Sequence, residues 1–359
     1  MAIYALFYPI NERLSFSLNE SHYSNEISLR RGTWVKLICG ASNDDLTSIS
    51  DLCSVYAAAG VNCIDIAADI AVVAAAREGI TWAKDNLGIK PWLMISLSDG
   101  KDIHFRKAYF NPKVCPKECS RPCEKVCPTN AINPTLGIIQ DLCYGCGRCI
   151  PACPLELIQE KDNLLRIQDF GNLISKAKPD AIEIHTAPGR IKAFEQSVKE
   201  VVKSKVQLKR VAVSCGLEGH GITKDQLSQE LWSRHECLCR YNQKPIWQLD
   251  GRPMSGDIGR GTAKAAILLL EKMHSIAPPG PIQLAGGTNE QTILHLQKNH
   301  RLAGIAFGGM ARKLIQPFLI EAKAQNKKLI DWPEGWDKAL KLAKGLIKPW
   351  LNNEYRMHY

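Results

Sequence analysis

Eight cysteines between residues 115 and 153 constrain this chain more than any other feature of its sequence. The second four follow the spacing Cys-x2-Cys-x2-Cys-x3-Cys-Pro, which begins at Cys143 and ends at Pro154. Bacterial ferredoxins use this run of thiolates to hold iron–sulfur clusters. The spacing therefore predicts that this part of the chain binds a [4Fe–4S] cluster.

The first four cysteines have three residues in every gap, so their loop is two residues longer than the ferredoxin pattern. In two-cluster ferredoxins, the fourth cysteine of each run ligates the cluster of the other run. We therefore predict two sets of ligands. One set is Cys127, Cys143, Cys146 and Cys149, and the other is Cys115, Cys119, Cys123 and Cys153. The longer loop leaves two cluster types open for the second set, [4Fe–4S] and [3Fe–4S].

Two other uses of clustered cysteines fit this sequence less well. Disulfide scaffolds are typical of short secreted chains, whereas this chain has 359 residues and shows no signal-peptide pattern. Zinc sites combine two short spacings with a longer gap and usually close with four ligands, so zinc is the main alternative. The other six cysteines are dispersed, which fits a reducing compartment. We therefore expect a cytoplasmic protein.

From Trp34 onward, short apolar runs rich in β-branched residues alternate with amphipathic helical patterns. Eight strand patterns, each followed by a predicted helix, fit within roughly 300 residues once the cysteine segment is set aside, which favours a (β/α)8 TIM-like barrel. An open doubly wound sheet is the alternative. The cysteine segment follows the third strand, so we predict an inserted ferredoxin-like two-cluster domain.

These patterns divide the chain into five parts. The predicted parts are an N-terminal arm that is irregular or folded as a hairpin (1–33), a first barrel part (34–100), the insert (101–162), a second barrel part (163–325) and a C-terminal helical tail (326–359). In (β/α)8 barrels, active sites lie at the carboxyl ends of the strands. An insertion that follows a strand is therefore expected to lie over this mouth of the barrel.

Glycine-rich loops follow the last two predicted strands. In many barrels the corresponding loops bind a phosphate through backbone N–H groups and a helix N-terminus. The candidates here are Gly286, Gly287, Gly308 and Gly309, with Arg312 as the cation. The ligand would be a phosphate or the phosphate group of FMN. The alternative is that these glycines only allow tight turns.

Polar residues alternate with apolar ones in several predicted strands. They are Lys36, Asp65, Glu183, His185, Gln248 and Asp250. Because the side-chain period of a strand is two, each is expected to point into the barrel near its mouth. Two interpretations follow from this placement. The residues either form a ligand site or satisfy one another as charged pairs in a filled barrel.

Composition limits the partners of this chain. The net charge of +10 is diffuse, and no nucleic-acid-binding motif is present, so we do not expect a nucleic-acid partner. No apolar run approaches the ~20 residues that a membrane span needs. A basic amphipathic helix near residues 338–351 permits peripheral membrane contact. Docking of this helix on the barrel is the favoured interpretation.

Four further sequence segments, on both sides of the insert, are distinctive. RRGTWVKLICGASN precedes the insert, and DAIEIHTAPGR, LDGRPMSGDIG and QLAGGTN follow it. Together with the double cysteine motif, they resemble the light-dependent period A (LdpA) family of cyanobacteria over nearly the whole chain. The resemblance implies an iron–sulfur protein that senses the redox state of the photosynthetic quinone pool and adjusts the period of the circadian clock to light. Only the eight cysteines of the motif carry over as functional residues.

The resemblance also implies partners, which are circadian clock or clock-input proteins and quinone or electron-transport components. It favours a non-catalytic redox sensor or electron-transfer protein over an enzyme. Two alternatives stay open. One is a flavin-dependent oxidoreductase in which the clusters pass electrons to a cofactor or substrate in the barrel mouth, and the other is an electron-transfer partner of a photosynthetic membrane complex.

Overall fold

The computed structural model describes residues 25–217, 219–252, 259–297 and 300–352. Its strands are, in chain order, β1 (Trp34–Ile38), β2 (Cys63–Ala67), β3 (Trp92–Ser98), β4 (Arg106–Tyr109), β5 (Ile132–Asn133), β6 (Gly137–Ile138), β7 (Gln159–Asp162), β8 (Ala181–His185), β9 (Arg210–Cys215), β10 (Pro245–Asp250), β11 (Ile282–Ala285) and β12 (Gly304–Phe307). Eight of them close into a barrel in the order β1-β12-β11-β10-β9-β8-β3-β2. The closed barrel confirms the predicted (β/α)8 fold and excludes the open sheet.

The barrel closes between β1 and β12, which pair in parallel with Trp34 opposite Gly304. A Cβ atom at residue 304 would lie 1.9 Å from the Trp34 carbonyl oxygen, so only glycine permits this approach. The eight barrel strands are largely buried on both faces, as expected for a parallel sheet covered by helices. The main core therefore lies between the strands and the surrounding helices.

The helices are α1 (residues 25–31), α2 (Leu46–Ala59), α3 (Ile70–Leu87), α4 (Pro122–Val126), α5 (Cys149–Ala152), α6 (Phe170–Ala177), α7 (Ile191–Lys203), α8 (Lys224–Arg240), α9 (Ala263–Met273), α10 (Gly309–Ala324) and α11 (Pro333–Leu351). Local sequence explains their ends. Helix α3 begins after Asp69, whose side chain accepts hydrogen bonds from two first-turn amides, and ends at Gly88 in a left-handed conformation.

One predicted helix is wrong. The described residues between β11 and β12 contain only a short 3-10 turn, Thr292–His295. The Asn289 side chain accepts a hydrogen bond from the Gln291 amide at 2.8 Å, and the Thr292 hydroxyl accepts one from the Asn289 amide at 2.9 Å. These local side-chain bonds close a tight turn and compete with helix formation.

The cysteine segment lies between β3 and β8, two neighbouring strands of the barrel. It contains two small antiparallel pairs, β4 with β7 and β5 with β6. A separate small core joins its cysteines to apolar side chains, which include Ala108, Phe110, Ala131, Ile138 and Ile158. Because the segment begins after β3 ends and returns into α6, the helix that precedes the parallel strand β8, it enters and leaves at the carboxyl end of the barrel.

The two ends of the described chain cover the barrel. Residues 25–31 of the predicted N-terminal arm form α1 rather than a hairpin or an irregular segment, and residues 1–24 lie outside the described part. Helix α11 buries Ala339, Ala343, Ile347 and Trp350 and packs on β1, α2 and α10. Within the described residues, every helix is too short or too polar to cross a membrane.

Candidate functional site

The segment cysteines are free thiols that the structure brings together as two groups of four. Burial raises the pKa of Cys115, and the nearby sulfurs that raise it further belong to Cys119 and Cys153. Burial likewise raises the pKa of Cys149 to about 12, with further contributions from the nearby sulfurs of Cys146, Cys143 and Cys127. The two groups contain the same cysteines as the two predicted ligand sets, whose role as cluster ligands stays a prediction.

We call Cys127, Cys143, Cys146 and Cys149 the inner quartet, and Cys115, Cys119, Cys123 and Cys153 the outer quartet. All four cysteines of the inner quartet line one pocket, together with apolar residues such as Ala131 and Ile138. Four converging thiols in an otherwise apolar cavity fit an iron–sulfur cluster, whose usual ligands are cysteine thiolates. Two cysteines of the inner quartet are buried, against one of the outer quartet.

Backbone amides donate hydrogen bonds to several of these sulfurs. The amide of Ala131 lies 3.2 Å from Cys127 Sγ, and that of Ala108 lies 3.4 Å from Cys143 Sγ. In the outer quartet, the Arg121 amide lies 3.5 Å from Cys119 Sγ. Hydrogen bonds to ligand sulfurs stabilise negative charge and tune the reduction potential of a cluster.

The loop of the inner quartet is docked on the barrel mouth through Tyr144. The guanidinium of Arg312 lies over the Tyr144 ring, 4.6 Å from its centroid. Arg312 Nη1 also donates a hydrogen bond to the carbonyl oxygen of Ile38, at the end of β1, at 2.7 Å. A buried cation therefore joins the first barrel strand to the cysteine loop.

The next residue, Gly145, is fitted against the start of β4. Its φ is +73°, and a Cβ atom there would lie 2.1 Å from the carbonyl oxygen of Arg106. Any other residue would be strained in this conformation and would also push the loop away. The position of the inner quartet thus depends on one glycine.

The six polar strand residues form a continuous network inside the barrel. Lys36 Nζ pairs with Glu183 and lies 3.3 Å from Asp65 Oδ2. Gln248 Nε2 donates to Glu183 Oε1 at 2.7 Å and lies 3.2 Å from Asp250 Oδ1. Lys36 therefore pairs most closely with Glu183 and has Asp65 beside it in a filled barrel, whereas Glu183, His185, Gln248 and Asp250 also line the mouth.

Charge pairing decides the protonation states in this network. Burial would lower the pKa of Lys36, but the Asp65 and Glu183 carboxylates outweigh it and raise the pKa. Burial raises the pKa of Asp65 to about 6 against the opposing effect of Lys36. For Glu183, burial would raise the pKa, but Lys36 and His185 hold it below its usual range. The interior is therefore an ionised pair with one less acidic carboxyl beside it.

His185 lies where the network reaches the mouth. Its Nε2 is 3.0 Å from Glu183 Oε1, and its Nδ1 is 3.9 Å from Asp102 Oδ2. Burial would lower the pKa of His185, but Glu183 and then Asp102 outweigh burial and raise it to about 9. Burial and the Glu183 charge raise the pKa of Asp250 to about 6. The mouth thus carries several titratable groups within one pocket.

That pocket has roughly 700 Å³ of space between atoms, part of it open to solvent. It is lined by residues from both regions of the molecule, among them His104, Tyr144, Gly145, Glu183, His185, Gln248, Asp250, Gly286, Gly287, Gly308 and Gly309. The part of this space that water-sized molecules can occupy is about 50 Å³, enough for a few water molecules. The cysteine loop therefore forms one wall of a cavity whose floor is the barrel network.

The structure brings the four glycines of the predicted anion site together, but Arg312 does not line the same pocket. All four candidate glycines line the pocket, and Gly308 precedes α10. Gly286 has a φ of +63°, and a Cβ atom there would lie 2.4 Å from the Arg252 carbonyl oxygen, so a tight turn explains this glycine. Arg312 is 4% exposed and contacts Ile38 and Tyr144. Its Nε and Nη2 atoms have no hydrogen-bond partner within the described residues.

Sequence reasoning missed several residues of this site. Ser96 and Gln283 alternate with apolar neighbours in β3 and β11, and this pattern was a usable signal. Asp102, His104 and Tyr144 lie outside the barrel strands. The fold of the inserted segment places them at the mouth. They carry no periodic signal in the sequence.

The fold and the two quartets define a class of protein, a (β/α)8 barrel with an iron–sulfur-binding segment inserted at its mouth. Two family models match the chain: the LdpA Fe-S cluster-binding domain over residues 115–164, and the light dependent period A C-terminal domain over residues 173–349. Light dependent period A of Synechococcus elongatus is 42% identical over 331 residues, which cover 90% of this chain and 92% of that protein. The chain belongs to the light-dependent period A family.

Two further similarities are more distant. An uncharacterized ferredoxin of Methanocaldococcus jannaschii is 43% identical over 73 residues, which cover 20% of this chain and 39% of that protein. Among solved structures, an aldolase of Escherichia coli K12 aligns with a TM-score of 0.42 and 10% identity, covering 92% of this chain and 94% of that chain.

Proposed function

We propose that this protein is a cytoplasmic redox sensor with two [4Fe–4S] clusters, which conveys the redox state of the photosynthetic quinone pool to the circadian clock. For the outer quartet, a [3Fe–4S] cluster stays open as the alternative to [4Fe–4S]. The observation that carries the proposal is the convergence of the four inner-quartet cysteines on one pocket, in a loop docked over the barrel mouth. Membership of the light-dependent period A family supports the link to the clock.

A bound cluster would supply reversible one-electron chemistry without leaving its site. The protein's own groups position the cluster loop and stabilise its charge. The amides of Ala108 and Ala131 donate to sulfurs of the inner quartet and so stabilise negative charge there. Arg312 is the buried cation stacked on the same loop, and it is bonded to the end of β1. A change in charge at the inner quartet would therefore alter the contact between loop and barrel, which a partner protein can recognise.

The test expresses this protein in a Synechococcus elongatus strain from which the related light dependent period A gene has been deleted. The clock period of this strain is then measured at several light intensities. Cys146→Ser should abolish the dependence of period on light, because a serine hydroxyl is a poor substitute for a thiolate ligand. The matched control is Cys239→Ser, which changes an exposed cysteine outside both quartets. A Cys146→Ser strain whose period still follows light would contradict the proposal.

A second candidate function is favoured by one observation. Tyr144, which lies between two cysteines of the inner quartet, lines the same pocket as the four glycines of the predicted anion site. This arrangement suits an oxidoreductase that passes electrons between the quartets and a bound ligand such as FMN. Protein purified without oxygen would then show a flavin absorbance band, and acid extraction would release the flavin. Purified protein that contains its iron but no flavin would contradict the oxidoreductase and support the redox sensor.

Helix α11 offers the surface for any peripheral membrane contact. Its apolar face is buried on the barrel, so this face cannot insert into lipid. Its other face exposes Lys338, Lys341, Lys344 and Lys348. We propose that these lysines bind an anionic membrane surface near the electron-transport components through charge attraction alone.

A further inference from the structure

Three side chains outside both quartets converge at the edge of the barrel mouth. They are Asp102 and His104, which follow β3, and His185, at the end of β8. One ligand atom from each lies within 4.8 Å of those of the other two. The rings of His104 and His185 have centroids 5.1 Å apart, and the Asp102 carboxylate contacts both side chains.

His185 provides an independent sign that something binds here. The residue is 6% exposed, and its Nδ1 atom is buried without a hydrogen-bond partner among the described residues. The nearest acceptor, Asp102 Oδ2, is 3.9 Å away, which is too far for a hydrogen bond. Two ligands that share an ion at bonds of about 2.1 Å can lie up to about 4.2 Å apart, so this gap suits a shared ion.

Glu183 orients the other side of the same ring. Its Oε1 atom is 3.0 Å from His185 Nε2 and accepts the proton on that nitrogen. In metal sites, a ligating histidine commonly donates its second ring N–H to a carboxylate, which fixes the tautomer and makes the free nitrogen a better ligand. The Nδ1 atom of His185 is thereby directed at Asp102, and a bound metal ion would displace the proton on this nitrogen.

We infer that Asp102, His104 and His185 bind a divalent first-row transition-metal ion at a site separate from the cysteine quartets. Two histidines and one carboxylate are the ligand set of non-haem iron sites and of several catalytic zinc sites, both of which keep open coordination positions. His104 and His185 line the mouth pocket, and all three residues line a neighbouring pocket. Water or a small oxygen-donor ligand can therefore reach the open positions. The inference does not depend on the clock function.

The experiment uses the full chain with its clusters, purified without oxygen, and Co2+ as the probe. We expect one Co2+ per chain in addition to the cluster iron, with the weak absorption bands of nitrogen and oxygen ligands. His104→Ala should weaken binding by at least about 10-fold, since loss even of groups behind the ligands has effects of that size. The matched control is His220→Ala, an exposed histidine on a neighbouring pocket outside the three-residue group, which should bind Co2+ like the unchanged protein.

Iron content and circular dichroism establish that each variant is folded and keeps its clusters. If His104→Ala does not fold, Asp102→Asn tests the same site with a side chain of equal size, and it should also bind Co2+ at least about 10-fold more weakly. A sulfur-to-cobalt charge-transfer band would place the ion on cysteines and overturn the inference. Absence of Co2+ binding, or equal affinity in the folded variant and the control, would overturn it as well.

Discussion

The inner and outer quartets each consist of four cysteines, but the rest of the molecule holds the two sets differently. Tyr144 in the inner loop stacks on Arg312, and Gly145 fits against the carbonyl oxygen of Arg106. In the outer loop, by contrast, residues 116–118 between Cys115 and Cys119 are all exposed. The comparison teaches that contacts with the barrel, rather than ligand type, set the two sites apart. Within the described part of the chain, the loop of the inner quartet lines the mouth pocket through Tyr144 and Gly145.

The largest effect is expected from Gly145→Ala. The left-handed backbone at this position costs a non-glycine residue about 1–2 kcal/mol, and the added Cβ would lie 2.1 Å from a backbone oxygen, so the loop must move. The variant should lose about half of its iron, the share of one of two equal clusters, in an anaerobic iron assay. The EPR signal of the outer quartet should persist.

Gly189→Ala is the matched control for this change. Gly189 has a φ of +78°, and no atom lies within 4 Å of an added Cβ, so the backbone strain is present without the collision. It should be destabilised by about 1–2 kcal/mol and keep all its iron. Full iron content in Gly145→Ala would show that the docked loop is dispensable and would remove the difference between the quartets.

Removal of iron by a chelator should distinguish the quartets by rate. The outer loop is the more exposed, so we expect its iron to leave first and that of the inner quartet to follow several-fold more slowly, as exposure favours loss. The measurement is anaerobic bleaching of the cluster absorbance after addition of chelator. Cys119→Ser should remove the fast phase and Cys146→Ser the slow one. A single common rate in the unchanged protein would break the comparison.

The smallest effect is expected from Tyr144→Leu. This change removes the aromatic face under Arg312 and should lower the free energy of unfolding by about 1–2 kcal/mol, the size of a desolvated cation–π contact. Denaturant titration of the cluster-loaded protein measures it. Tyr144→Phe keeps the ring and should stay within about 0.5 kcal/mol of the unchanged protein. Equal stability of the two variants would mean that the stacked ring does not hold the loop.

Much of the fold could be predicted because it is encoded locally. The eight buried strands are short apolar runs, and the ends of α3 are marked by Asp69 and Gly88. The helix predicted between β11 and β12 was wrong because side-chain bonds of Asn289 and Thr292 close a turn that the apolar pattern does not reveal. The alternation of polar residues correctly indicated which side chains face the barrel interior. It did not reveal that Lys36 would pair most closely with Glu183.

The sequence by itself determined the number of barrel strands, the point of insertion and the two ligand sets expected from cysteine spacing, because each depends on order and period along the chain. Only the tertiary structure decided that Arg312 stacks on Tyr144 and that His185 meets Asp102. These pairs come from segments far apart in sequence, and the closed barrel brings them together at its mouth. Their contacts depend on distances of a few ångströms that no local pattern records.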